Sequence, residues 1–84
     1  MKIKLLYFGR PRDMLNTSGE IADVPDGIAT LDELLGWLRL RGESWALELA
    51  DNRIRCAINQ EMAALFSPIH EGDEIAFFSP ISGG

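Results

Sequence analysis

Charged and apolar residues alternate at the start of the run Lys2-Ile3-Lys4-Leu5-Leu6-Tyr7-Phe8, which is the period of a strand. Ile3, Leu5 and Tyr7 fall on one face, and Lys2, Lys4, Leu6 and Phe8 on the other. The lysines mark the second face as wet at its start, so Leu6 and Phe8 stand out as apolar residues on a side that should meet solvent. Around Pro11-Arg12-Asp13-Met14-Leu15 the chain predicts one or two helical turns, followed by a loop. Glu20 to Val24 reads as a weak second strand, with Ile21 and Val24 out of strict alternation, closed by the turn formers Pro25-Asp26-Gly27.

The clearest helix follows. Thr30-Leu31-Asp32-Glu33 fits a capping box, and Leu31, Leu34, Leu35 and Leu38 recur at i, i+3, i+4 and i+7 as one buried stripe. Arg39 and Arg41 suit the negative end of the helix dipole, with Gly42 expected as a left-handed stop. Ser44 is expected to cap a shorter helix through Trp45, Ala46, Leu47 and Leu49. From Arg53 to Asn59 alternation returns, with Ile54, Cys56 and Ile58 inward and Arg53, Arg55 and Ala57 outward. Asn59-Gln60 predicts a turn, Met62 to Phe66 a short apolar stretch, and Ser67-Pro68 a break. After the turn His70-Glu71-Gly72-Asp73, Ile75 and Phe77 share one face of a last strand and Ala76 and Phe78 the other.

Five strand-like segments, with one long helix between the second and third, define an α+β fold: a mixed sheet of about five strands packed on one main helix. If the first and last strands are neighbours, Phe8 and Phe78 form one exposed aromatic patch of the kind that marks a protein interface.

Residues 1–78 then form the domain and residues 79–84, Ser79-Pro80-Ile81-Ser82-Gly83-Gly84, a protruding tail. Extended, six residues reach roughly 20 Å, enough to enter a partner's cleft. Pro80 fixes its own φ and biases Ser79 toward extended geometry. Gly83 and Gly84 lack a Cβ, so the terminal pair can pass a narrow channel and bring a carboxylate close to a reacting group.

Composition narrows the function. Eighty-four residues make one domain with a small core. A formal charge of −5 argues against a nucleic-acid partner and points to a basic protein surface as what the chain meets. Its single cysteine, Cys56, precludes an internal disulfide and reads as core filler among apolar neighbours. The alternating start lacks the unbroken apolar core of a signal peptide, and no run approaches the roughly 20 apolar residues that span a bilayer. The expected location is therefore the cytoplasm, with no membrane association. One histidine and one cysteine offer no metal-ligand spacing, and no glycine-rich phosphate loop precedes the helix. The cluster Glu71, Asp73 and Glu74 reads as a solvated turn. The chain is thus not expected to be an enzyme on its own, nor to bind a cofactor or metal itself.

Several segments carry a resemblance: Lys4-Leu5-Leu6-Tyr7-Phe8 with Arg12 following, Trp45-Ala46-Leu47, Ala57-Ile58-Asn59-Gln60, and Glu71-Gly72-Asp73-Glu74-Ile75-Ala76-Phe77-Phe78 running to Pro80-Ile81-Ser82-Gly83-Gly84. Together they resemble the small subunits of molybdopterin synthase, sulfur carriers with the ubiquitin-like β-grasp fold. The resemblance implies that the terminal carboxylate is activated by an adenylating, sulfur-transferring partner using ATP, becomes a thiocarboxylate, and enters a large catalytic subunit in a heterotetramer. There it donates sulfur to cyclic pyranopterin monophosphate in molybdenum cofactor biosynthesis. By the same resemblance Gly84 bears the sulfur, Gly83 is the slim residue before it, and Phe8, Met62 and Phe78 make hydrophobic partner contacts. Arg12 falls where the family has an arginine near the activating enzyme. The chain departs from the family at Ser79, where a proline is frequent, and at Met62, where a branched aliphatic is.

This chemistry has a physical logic. A C-terminal carboxylate with an ordinary pKa of about 3.3 to 3.7 is ionised in the cell and a poor electrophile, so adenylation must supply a leaving group. The thiocarboxylate is a soft anionic nucleophile that an extended tail can position. Acid, base and substrate pocket must come from the partners. Two alternatives stay open: another β-grasp sulfur carrier of the thiamin type, and a ubiquitin-like modifier that forms isopeptide bonds. A third is a plain binding module with an inert tail.

Overall fold

The structure, a computed structural model, describes residues 1–80. The predicted tail residues Ile81, Ser82, Gly83 and Gly84 lie outside the described residues.

Strand β1 spans Lys2–Tyr7, and its inward residues Ile3, Leu5 and Tyr7 are buried as the alternation requires. Phe8 follows as the N-cap of helix α1, Gly9–Leu15. Strand β2, Gly19–Asp23, returns antiparallel to β1 with Leu6 opposite Gly19. A Cβ on Gly19 would stand 2.9 Å from the Leu5 carbonyl oxygen and 3.1 Å from Leu6 Cδ2, so this close approach of two backbones excludes any larger residue. The irregular pattern of β2 resolves simply: Ala22 and Val24 face the core, while Ile21 is 64% exposed.

Helix α2, Leu31–Arg39, carries the predicted capping box: Thr30 Oγ1 accepts from the Glu33 amide, and the Glu33 carboxylate accepts from the Thr30 amide. The same carboxylate accepts from the Ala29 amide, and these backbone hydrogen bonds hold Glu33 below the usual carboxylate range. The stripe Leu31, Leu34, Leu35 and Leu38 packs on Ile3, Leu5, Ile75 and Phe77 as one core. Each of these side chains contributes roughly 1.5–3 kcal/mol by leaving water.

Gly42 is not the left-handed stop of α2. The helix ends through Leu40, which stays right-handed, and Gly42, at φ 154°, is instead the N-cap of helix α3, Glu43–Glu48. Ser44 accordingly lies inside α3 and does not cap it. The two helices are thus joined by three residues, Leu40, Arg41 and Gly42, of which the glycine opens the second helix.

Strand β3, Arg55–Ile58, pairs antiparallel with β4, Glu61–Ala63. Between them Asn59 and Gln60 have φ of 50° and 71°, the left-handed pair that a two-residue hairpin turn demands. Of the apolar stretch predicted over residues 62–66, only its beginning joins the sheet. Strand β5, Glu74–Phe78, lies between β1, to which it is parallel, and β3, to which it is antiparallel. The sheet order is therefore β2-β1-β5-β3-β4. The parallel central pair needs a long crossover, and the helices supply it. Gly72, at φ 84°, makes the turn into β5, where its amide donates to the Lys2 carbonyl oxygen at 2.8 Å.

The carboxylates of that turn fasten it. Glu71 accepts from the Lys2 amide with both oxygens, at 3.1 Å each. Asp73 accepts from the His70 amide at 2.7 Å and from Asn59 Nδ2 at 2.9 Å. Asn59 Oδ1 in turn accepts from the Glu74 amide at 3.0 Å, so one asparagine ties the β3–β4 hairpin to the start of β5.

Among the described residues no helix is long and apolar enough to cross a membrane.

Candidate docking surface at the root of the tail

One face of the sheet is covered by α2 and holds the core, and the other is not covered by any described helix. The strand registers place its residues in rows. Across the middle, Gly19, Leu6, Ala76, Ala57 and Met62 stand side by side on β2, β1, β5, β3 and β4. Ala57 was expected to face outward and does, yet it is 9% exposed. Its single methyl is shaded between Ala76 and the longer Met62. One row toward the end of β5, Phe78 lies opposite Arg55. The Phe8 amide donates to the Phe77 carbonyl oxygen at 3.0 Å, which carries the β1–β5 ladder one residue further and brings Phe8 beside Phe78. Toward the start of β5, the row is Ile21, Lys4 and Glu74, with Lys4 Nζ 3.7 Å from the Glu74 carboxylate.

The predicted aromatic pair is therefore a neighbouring pair. Phe8 is 48% exposed and Met62 66%, with Phe78 partly buried between its neighbours. Phe8, Leu6, Phe78, Ala76 and Met62 make a continuous apolar surface bounded at one end by an ion pair. Arg12 belongs elsewhere: it lies on α1, half-exposed, with Nε 3.4 Å from Asp13 Oδ1. The structure brings Phe8, Phe78 and Met62 together and leaves Arg12 off that face.

Beyond Phe78, Ser79 and Pro80 line a cleft of about 460 Å³ together with Arg10, Glu48, Asn52 and Arg53. Glu48 is the one buried charged side chain among the described residues, at 2% exposure. Arg10 grips it with two hydrogen bonds, Nε to Oε1 at 3.0 Å and Nη2 to Oε2 at 3.3 Å, and Arg53 Nη1 stands 3.7 Å from Oε2. A buried carboxylate requires such partners. Sequence reasoning missed this cluster, although a signal was present: Glu48 lies three residues after Trp45 and so shares its inward helix face.

Behind the sheet a second polar network supports Tyr7. Its hydroxyl donates to Glu20 Oε2 at 3.0 Å, and Arg41 donates to both Glu20 oxygens at 2.7 and 2.9 Å. The Arg41 guanidinium lies 4.6 Å from the Trp45 ring and 5.6 Å from that of Trp37, a cation–π arrangement. The Arg41 hydrogen bonds hold Glu20 below its ordinary range, while burial and then Glu20 push the Tyr7 phenol up. Burial likewise pushes the Cys56 thiol up to about 12, which suits core packing and not nucleophilic chemistry. Among the described residues no group of three His, Cys, Asp or Glu side chains converges for a metal ion.

A mixed five-stranded sheet grasping one long helix, with a bare apolar face next to the point where the C-terminal residues leave, defines a ubiquitin-like β-grasp protein. The chain belongs to the ThiS family, which it matches over residues 5–84. Two relatives are both named molybdopterin synthase sulfur carrier subunit. That of Escherichia coli is 33% identical over 98% of this chain and 99% of its own. That of Haemophilus influenzae is 34% identical over the same shares. Among solved structures, the small archaeal modifier protein 1 of Haloferax volcanii is 27% identical, with a TM-score of 0.75 over 95% of this chain and 98% of its own.

Proposed function

We propose that this protein is the sulfur-carrier subunit of a molybdopterin synthase. The observation that carries the reading is the apolar surface of Phe8, Leu6, Phe78 and Met62 adjoining the strand end from which the tail departs. The relatives' shared name over nearly the whole chain supports it. An adenylating enzyme uses ATP to activate the Gly84 carboxylate. Sulfur then displaces the adenylate, which leaves with one carboxylate oxygen, and the terminus becomes a thiocarboxylate. The apolar face docks on the large catalytic subunit, and the tail of Pro80, Ile81, Ser82, Gly83 and Gly84 delivers its sulfur to cyclic pyranopterin monophosphate. Arg12, off the sheet face, serves the encounter with the activating enzyme. The carrier supplies reach and one reacting group, binds no cofactor or metal, and acts in the cytoplasm within a heterotetramer of carriers and large subunits. It is not an enzyme by itself; acid, base and substrate pocket belong to the large subunit.

A second reading, a protein modifier, draws on the likeness to the archaeal modifier. The two part at the product. Co-expression with the adenylating enzyme and a sulfur source, followed by intact mass, is expected to show exchange of one oxygen for sulfur at the C-terminus. Conjugates of this chain to lysines of other proteins, with no thiocarboxylate formed, would refute the carrier reading.

A further inference from the structure

The net charge of −5 hides an uneven distribution. The turn entering β5 is acidic, with Glu71, Asp73 and Glu74, and all three are engaged by Lys2, His70, Asn59 or Lys4 groups. The other end of the same strand is basic. Arg55 faces Phe78 across the β3–β5 ladder, and Arg10 and Arg53 line the cleft beside Ser79 and Pro80. The carboxylate among these arginines is Glu48, buried beneath Arg10 and Arg53. Nearby Asp51 is already paired with Arg39. Three arginines against one buried carboxylate leave an excess of two positive charges at the root of the tail. The guanidinium of Arg55 donates to the Ile54 carbonyl oxygen and has no carboxylate partner among the described residues.

Arg10 satisfies Glu48 bidentately and Arg53 adds a longer ion pair at 3.7 Å, whereas Arg55 is exposed and has no carboxylate partner among the described residues. An exposed cluster of like charge favours a partner surface of the opposite charge. We propose that Arg53 and Arg55 form the electrostatic half of the docking surface, and that their occupant is a cluster of Asp and Glu side chains on the large subunit, at the rim of the opening that admits the tail. The proposal rests on the functional reading above. Continuity selects the large subunit, because Arg55 and Phe78 are adjacent in one row of the sheet and a partner that covers the aromatic pair must cover the arginine too. It also reverses the expectation from net charge, since the surface met at the tail root is acidic and not basic.

Binding of the full chain to the large subunit, measured by calorimetry over a series of KCl concentrations, tests this. Wild-type affinity is expected to fall as salt rises. The double variant Arg53→Gln with Arg55→Gln, which leaves the Arg10–Glu48 pair intact, should bind about tenfold more weakly at low salt. Its salt dependence should be shallower, so that the two curves converge at high salt. Phe78→Ala should be weaker at every salt concentration, with the wild-type slope. Equal affinity of the double variant and wild type at low salt overturns the proposal, as does a uniform loss across the salt series or an arginine effect seen with the adenylating enzyme instead. In those cases wild-type binding and the Phe78 effect persist and the functional reading stands. Absence of wild-type binding at any salt concentration overturns both.

Discussion

Tyr7, Glu20 and Arg41 show how one inward residue of a strand can require polar company. Burial excludes a charged phenolate, so Tyr7 remains neutral, and its hydroxyl needs an acceptor, which Glu20 provides. Glu20 in turn needs Arg41, and Arg41 rests against Trp45, so the end of α2 and the start of α3 are drawn to β2. The folded pKa of Glu20 lies below its unfolded value near 4.5. Its stabilisation is therefore complete above that value and is lost as pH falls through the folded one. Tyr7 acts at the other extreme: its folded pKa is raised above 10.0, so stability falls as pH rises past 10 and the unfolded phenol ionises. Thermal melts should show Glu20→Gln well below wild type at neutral pH, with the gap closing as pH falls through the acidic range. A gap that is constant with pH would mean that the charge on Glu20 is not what holds the network. None of this was legible beforehand, because Glu20 and Arg41 are 21 residues apart and meet only once β2 and α2 are in place.

At the scale of elements, the periodic segments were readable and the junctions were not. The Thr30–Glu33 box and the leucine stripe of α2 are local patterns, so sequence suffices to place them. The parity of β1 and β5 likewise put Phe8 and Phe78 on the outer face, and the parallel register makes them neighbours. Gly42 shows the opposite case. Its role depends on which helix claims it, and that is decided by how α3 packs, not by glycine's own preference. Ala57 was assigned the right face but not its burial, which comes from Met62 on a strand that the sequence shows only as an apolar stretch. The apolar row on the sheet leads to a further expectation. Phe78→Ala should weaken binding to the large subunit more than it lowers the melting temperature, because Phe78 is only partly buried in the free protein. Titration and melts on the same samples decide it. A stability loss of about 3–5 kcal/mol, as for a fully buried phenylalanine, would place Phe78 in the core and remove it from the docking face.

The whole molecule is a small β-grasp platform with the root of its tail at one end of the central strand β5. The core of Ile3, Leu5, Tyr7, Ile75 and Phe77 beneath α2 fixes the central strands, and those strands carry the apolar face and the departure point of the tail. Gly83-Gly84 after Pro80 is a local feature of the sequence, and the glycine pair lies outside the described residues. The buried Glu48 and the arginines that surround the tail root were not legible, because α1, α3, the segment before β3 and the residues after β5 assemble that cleft from distant stretches. Under the proposed function, the platform determines where the tail is presented and the terminal carboxylate what is delivered. The most direct test is reconstitution of molybdopterin formation from the thiocarboxylated chain, the large subunit and cyclic pyranopterin monophosphate, with a variant lacking Gly84 as the control. The wild-type chain is expected to yield molybdopterin and to lose its sulfur in doing so, whereas the shortened chain should melt as wild type does and yield none. Molybdopterin formed equally by the chain without Gly84, or none formed by the fully thiocarboxylated wild type, would contradict the carrier reading.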